Sequence, residues 1–253
     1  MPQCLKLLRE FSEIIVVDSG STDKTKDIAE KWGARVVNFD WNGKFPKKRN
    51  WVLRNETLEN EWVLFLDADE LPSKEFIEEI KERVGREDYD GYWITFINYF
   101  MGNQLKHGDK FRKLPLFKVG KGEYEKIEED SWSHLDMEIH EHPIIEGNVG
   151  SIKAPIIHND YRGLEHYIQK HNAYSSWEAR RYLKLKEEGF DQLNKRQRLK
   201  YKLIEIGLMP TAYFIGSFFL KAGFLDGRTG YDFARFKANY FLQIQSKIKE
   251  FQK

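Results

Sequence analysis

The chain has 253 residues, enough to bury one sizeable core, and its 41 Lys/Arg against 40 Asp/Glu leave a formal charge of +1, which argues against a nucleic-acid-coating protein. One cysteine, Cys4, excludes an intrachain disulfide and is compatible with the cytosol. The longest apolar run, 206–220, contains Pro210 and falls short of the roughly 20 residues a spanning helix needs, and residues 1–11 alternate apolar and charged side chains, unlike a signal peptide, so no transmembrane anchor is expected.

In chain order, residues 3–10 read as the end of a helix with Leu5, Leu8 and Phe11 on one stripe. The apolar stretch 14–17 reads as a buried strand ending in Asp18, followed by the polar turn Ser19-Gly20-Ser21. Residues 22–32 suit a helix, with Asp23 placed to favour its N-terminal dipole and Gly33 to close it. A short strand at 35–39 and a loop at 40–45 precede a helix at 47–60, which carries Lys47, Lys48 and Arg49. The next strand, 61–66, is apolar on both faces and stops abruptly at Asp67-Ala68-Asp69-Glu70. In extended backbone Asp67 and Asp69 point the same way, with Ala68 small enough for a ligand to close on the main chain. That suits Mg²⁺ or Mn²⁺ shared with a diphosphate; a solvated acidic turn is the plainer alternative. Two buried strands ending in acid-bearing loops, alternating with helices, predict a parallel α/β sheet with one ligand cleft at the strands' C-terminal ends.

Farther on, 73–85 reads as a helix capped by Ser73, with Phe76, Ile77 and Ile80 inward. Strands are expected at 92–100 and 111–119, and an acidic, glycine-bearing loop at 120–130. The segment 136–142 concentrates Asp136, Glu138, His140, Glu141 and His142; with His134, the two later histidines allow a zinc reading. Helices are expected at 163–188, 209–220 and 231–251. Residues 162–253 hold 18 Lys/Arg against 9 Asp/Glu, whereas 1–161 hold 23 against 31. This gives an expected division into a catalytic body, 1–161, and a basic helical extension, 162–253, suited to an anionic membrane surface through Phe214, Phe218, Phe219, Phe224, Lys221 and Arg228. Core packing of those aromatics is the alternative.

The pair Val16-Val17-Asp18-Ser19-Gly20-Ser21-Thr22-Asp23 and Leu66-Asp67-Ala68-Asp69-Glu70, with Lys48-Arg49-Asn50 between them, resembles glycosyltransferase family 2, the inverting enzymes of the GT-A fold. The style is that of the branch acting on lipopolysaccharide core or other envelope glycans. The likeness extends to His140-Glu141 and Gly223-Phe224-Leu225-Asp226-Gly227. It implies a hexose donor activated as a nucleotide diphosphate, UDP first, and a glycan or lipid-linked acceptor, with Mn²⁺ or Mg²⁺ as cofactor. By the same resemblance, Asp18, Ser19 and Gly20 hold base or ribose, Arg49 the nucleotide, and Asp67 and Ala68 the ribose or a metal-bound water. Asp69 binds the metal, with Asp67 and His158 as further candidates, and Glu141 is the base, with Asp136 and then Glu138 behind it. A cytoplasmic enzyme, peripheral at the inner face of the membrane, is implied. A sugar nucleotidyltransferase of similar architecture is a second reading, although its Gly-rich basic loop is missing. The sequence departs from the family at its start: one apolar strand, which in the family lies mid-sheet between the two acid-ended strands, has no counterpart. A gap in the sheet is expected if the given start is right, and a non-catalytic binding protein becomes a third reading; a start codon misplaced downstream is the simpler explanation.

Overall fold

A computed structural model describes residues 1–127, 142–158, 162–191 and 193–253. The chain divides into two compact units, Met1–Ile97 with Phe111–Asn159, and Asn98–Lys110 with Asp160–Lys253. The stretch Asn98–Lys110, placed in the catalytic body by its position in the sequence, therefore groups with the C-terminal helices. The Asp226 carboxylate accepts from the Lys106 and His107 amides at 3.0 and 2.9 Å, and the Gly108 amide donates to the Lys221 carbonyl at 2.9 Å.

The first unit opens with α1 (Pro2–Leu7) and a 3₁₀ turn, then β1 (Ile15–Asp18), α2 (Thr25–Lys31) and β2 (Arg35–Asn38). Parallel β1 and β2, with Val16 opposite Val36 and Asp18 opposite Asn38, form a sheet of their own. Leu5 of α1 packs with Ala29 and Ala34 beneath it. Among the described residues no hydrogen-bonded strand joins this pair to the larger sheet.

The larger sheet follows from α3 (Lys48–Asn55), β3 (Trp62–Leu64), β4 (Glu70–Pro72), α4 (Lys74–Val84), β5 (Gly91–Phe100) and, beyond a short return strand β6 (Asn103–Gln104), β7 (Phe111–Lys118). It is completed by β10 (Val149–Ser151) and β11 (Ile156–His158), while β8 (Gly122–Tyr124), inside the stretch 120–130 that reads from sequence as a loop, pairs separately with β9 (Pro143–Ile145). The path is β3-β7-β5-β11-β4. β10 runs parallel to β5, whereas β3/β7, β7/β5 and β11/β4 are antiparallel, so the sheet is mixed. β5 shows why it is a strand: Tyr92, Ile94 and Phe96 alternate inward, where they meet Phe76, Ile77 and Ile80 of α4, Leu116 and Ile156. The hydroxyl of Ser73 accepts from the Phe76 amide at 3.1 Å and caps α4. Ser73→Ala should cost about 1 kcal/mol, seen as a lower urea midpoint at unchanged m-value. Gly122 is fixed by space: a Cβ there would meet Ile145 Cδ1 at 2.5 Å.

The second unit is helical: α5 (Leu164–Glu188), α6 (Lys195–Glu205), α7 (Met209–Phe214), a π-helical turn (Ile215–Leu220), a 3₁₀ turn (Gly223–Asp226) and α8 (Gly227–Phe251). Its core joins Ala179, Tyr182 and Leu185 to Tyr201, Ile204, Phe241, Ile244 and Ile248. No helix among the described residues is long and apolar enough to cross a membrane.

Candidate active site

β3 ends early because the chain needs to leave the sheet: after the Phe65 amide bonds the Pro115 carbonyl at 3.0 Å, the Glu70 amide bonds the Asp67 carbonyl at 2.9 Å and closes a turn, with Ala68 exposed at its tip. The extended backbone expected from the D-x-D spacing is therefore replaced by a turn, and the two aspartates have different partners. Asp67 accepts from Arg49 Nη2 at 2.9 Å through Oδ1 and from Lys113 Nζ at 3.1 Å through Oδ2. Asp69 Oδ1 lies 4.0 Å from His158 Nε2. The register of β11 on β4 sets His158 opposite Glu70, and Phe111 stacks on its ring at 6.0 Å.

Glu70 organises this turn from beneath. Its side chain is 1% exposed; Oε2 accepts from the Asp67 amide at 2.9 Å and Oε1 from Lys113 Nζ at 2.5 Å. Burial pushes the Glu70 carboxyl up, Lys113 opposes this, and the neighbouring Asp67 charge reinforces it, leaving the group at about 7. Burial also works against ionised Asp67, but Lys113 and Arg49 outweigh it and draw that carboxyl down to about 2. One ammonium thus serves two carboxylates of opposite tendency.

The Arg49-Asn50 pair divides its work. Arg49 reaches Asp67 and lies over the Tyr124 ring at 5.3 Å. Buried Asn50 mimics a strand: its Nδ2 donates to the Tyr124 carbonyl at 2.8 Å and its Oδ1 accepts from the Tyr124 amide at 2.9 Å. Helix α3 is thereby bound to β8.

The Asp18 carboxylate is turned onto its own loop, where the Ser21 hydroxyl and the Ser21 and Gly20 amides hold it below the usual carboxylate range. Gly20, at φ +82°, supplies the conformation that lets both amides converge. Ser19 lies in the same exposed turn.

Glu141, Asp136, Glu138, His134 and His140 lie outside the described residues. Either side of that segment, the Glu125 amide donates to the His142 carbonyl and the His142 amide to Glu125 Oε1, both at 3.0 Å. For a divalent cation, Asp69 and His158 offer one carboxylate and one imidazole on a short span, a donor set that suits Mn²⁺ and leaves positions for water or phosphate. Among the described residues no group of three or more His, Cys, Asp or Glu could hold a metal, so the described share of such a site is these two. Asp67, the further candidate, is held by two cations. Sequence reading missed Lys113, and it gave no role to Glu70 as a buried support or to Asn50 as the tie between α3 and β8. The only signal for Lys113 was a second basic residue beside Arg112 near the start of β7, just ahead of its apolar run 114–117.

A mixed α/β sheet with an acidic turn beside an arginine defines the setting for a nucleotide-dependent transferase, and comparison with known proteins gives the family. The model described as "Glycosyl transferase family 2" matches residues 1–137, more than half of the chain. The chain belongs to glycosyltransferase family 2, has that family's GT-A fold, and is a glycosyltransferase. Among curated relatives, it is 28% identical over 97% of its length to a lipopolysaccharide core biosynthesis glycosyltransferase, LpsC, of Rhizobium meliloti, covering 86% of that protein. An uncharacterized glycosyltransferase of Rickettsia conorii is 29% identical, with 94% of this chain and 80% of the relative aligned. A shorter stretch, 29% of this chain, is 40% identical to the prophage-derived glycosyltransferase SunS of Bacillus subtilis and covers 18% of it.

Proposed function

We propose that the protein is a metal-dependent, inverting hexosyltransferase that uses a nucleotide-diphosphate sugar, UDP-linked first, and builds a cell-envelope glycan on a glycan or lipid-linked acceptor. The observation that carries this reading is the turn that aims Asp67 at Arg49 and Lys113 while its neighbour Asp69 sits beside His158. Two cations next to a carboxylate–imidazole pair suit a diphosphate and its counter-ion better than either a sugar or a protein partner. Asp69 and His158 would hold Mn²⁺ or Mg²⁺, which when bound neutralises charge on the departing diphosphate. Arg49 steadies the nucleotide, and the Asp18-Ser19-Gly20 loop faces its base or ribose. Glu141, with Asp136 as the second candidate, takes the proton of the acceptor hydroxyl as that oxygen bonds the anomeric carbon. The bond from that carbon to the diphosphate oxygen breaks with its electron pair leaving on the nucleotide, and the configuration inverts. Work at the cytoplasmic face of the membrane follows from a lipid-linked acceptor. The likeness to a lipopolysaccharide core enzyme supports the envelope assignment.

Calorimetric titration of UDP into the full chain, with and without Mn²⁺, tests this. Binding that strengthens with Mn²⁺ is expected. Binding without turnover of any UDP-sugar favours the non-catalytic, nucleotide-sugar-binding reading, and no binding in either condition overturns UDP as the donor nucleotide. Turnover of sugar phosphate plus UTP, instead of UDP-sugar, would identify a nucleotidyltransferase.

A further inference from the structure

The second unit carries apolar side chains that its core does not use. Along the π-helical and 3₁₀ turns, Ile215 is 45% exposed, Phe219 55%, Leu220 81%, Phe224 48% and Leu225 59%. Scattered apolar residues on a surface are ordinary; a contiguous group marks a contact. Phe219 and Phe224 join through Phe218, which meets them at 5.0 and 6.3 Å and Tyr231 at 5.6 Å, and Ile215, Leu220 and Leu225 lie in the same stretch of chain, 215–225. They are also held in place. A Cβ on Gly230 would stand 2.1 Å from the Gly223 carbonyl oxygen, and one on Gly223 2.7 Å from the Ser217 carbonyl oxygen, so α8 and both turns lie backbone against backbone. The glycines of the Gly223-Phe224-Leu225-Asp226-Gly227-Arg228-Thr229-Gly230 segment thus fix an apolar projection.

Cations surround it. The bonds from Lys106 and His107 to Asp226, and from Gly108 to Lys221, tie the loop carrying Lys106 and Lys110 to the same projection. Lys221, paired with Asp109, and Arg228, paired with Asp232, belong to it directly. Apolar tips ringed by Lys and Arg match the boundary between acyl chains and anionic headgroups. A second copy fits less well, since the excess of 18 Lys/Arg over 9 Asp/Glu in residues 162–253 would set like charge against like.

We infer that residues 215–226 form a membrane-docking face that inserts Phe219, Leu220, Phe224 and Leu225 into an anionic bilayer, with Lys106, Lys110, Lys221 and Arg228 meeting lipid phosphates. As the means of reaching a lipid-linked acceptor it rests on the function proposed above, but its test needs neither donor nor turnover. Full-length protein is sedimented with sucrose-loaded vesicles of phosphatidylcholine alone or mixed with phosphatidylglycerol, at low and high salt. Binding to the mixed vesicles, weakened by salt, is expected. Leu220→Ser with Leu225→Ser should lower the partition coefficient about tenfold or more, and Lys106→Glu with Lys110→Glu by about tenfold on anionic vesicles only. Both variants should keep the wild-type circular dichroism and UDP titration, which separates failure of docking from failure of the glycosyl-transfer reading. Wild-type partitioning by the double serine variant, or no vesicle binding by the wild type, overturns the inference. So does a lipid-free dimer in sedimentation velocity that the serine substitutions abolish, which would assign the face to a second copy.

Discussion

Asp69→Ala should abolish the Mn²⁺-dependent part of donor binding and lower kcat/KM by about 10²–10³-fold, the several kcal/mol that a bound cation contributes to a leaving diphosphate. The reasoning is local. Asp69 and His158 supply the carboxylate and imidazole nearest each other in the turn, whereas Asp67 is already satisfied by Arg49 and Lys113. Asp67→Asn should therefore weaken donor binding with its metal dependence retained. Glu141→Gln acts at the other end of the reaction: donor affinity stays, and turnover falls by about 10²–10⁴-fold for loss of a general base. Titration calorimetry with UDP with and without Mn²⁺, followed by steady-state kinetics, separates the three. Equal Mn²⁺-dependent affinity in wild type and Asp69→Ala would refute the metal assignment.

Lys113→Met should be the most damaging single change to the stability of the site. It strands the Glu70 carboxylate, which has no exposure of consequence, and removes one of Asp67's two cations. Breaking a buried pair from one side costs about 3–5 kcal/mol, and because Lys113 is itself about a quarter exposed the lower end is expected. The pH dependence distinguishes charge from packing. Glu70's folded pKa lies above its unfolded value, so its contribution is most favourable below about 4.5 and declines as pH rises towards about 7. Without Lys113 to oppose burial, the folded value moves higher still and the decline continues past 7. The deficit of Lys113→Met relative to wild type should consequently widen from pH 6 to pH 9, and Glu70→Gln added to it should remove that widening. A deficit that is flat across this range would mean that the Lys113 ammonium does not act through the ionisation of Glu70.

Much of the site was legible because it stands where hydrophobic patterning breaks. Apolar runs that stop at Asp18 and at Asp67 announce strand ends, and those acids are where the chain leaves its sheets. Less legible was anything depending on long-range partners. Nothing local shows that Glu70 supports Asp67 from below, since three clustered carboxylates look equally exposed in a sequence. Lys113 reads as an ordinary strand residue until β7 is seen beside the turn. The helix Lys195–Glu205 was missed because its apolar positions are sparse among basic residues, although its capping box, Asn194 with Gln197, carried a readable start. The expectation of two aspartates on one side of an extended strand gave way to a turn because the amide of Glu70 has the Asp67 carbonyl as its partner.

Two hydrogen bonds between Glu125 and His142 tie the end of β8 to the start of β9. Asn50 holds the same ribbon through Tyr124, and Arg49 is its neighbour in α3. Arg49, the proposed nucleotide contact, thus sits on a helix that Asn50 fastens to this ribbon. A substitution at Asn50, a residue with no chemistry of its own in the transfer, should register in donor affinity and in turnover together.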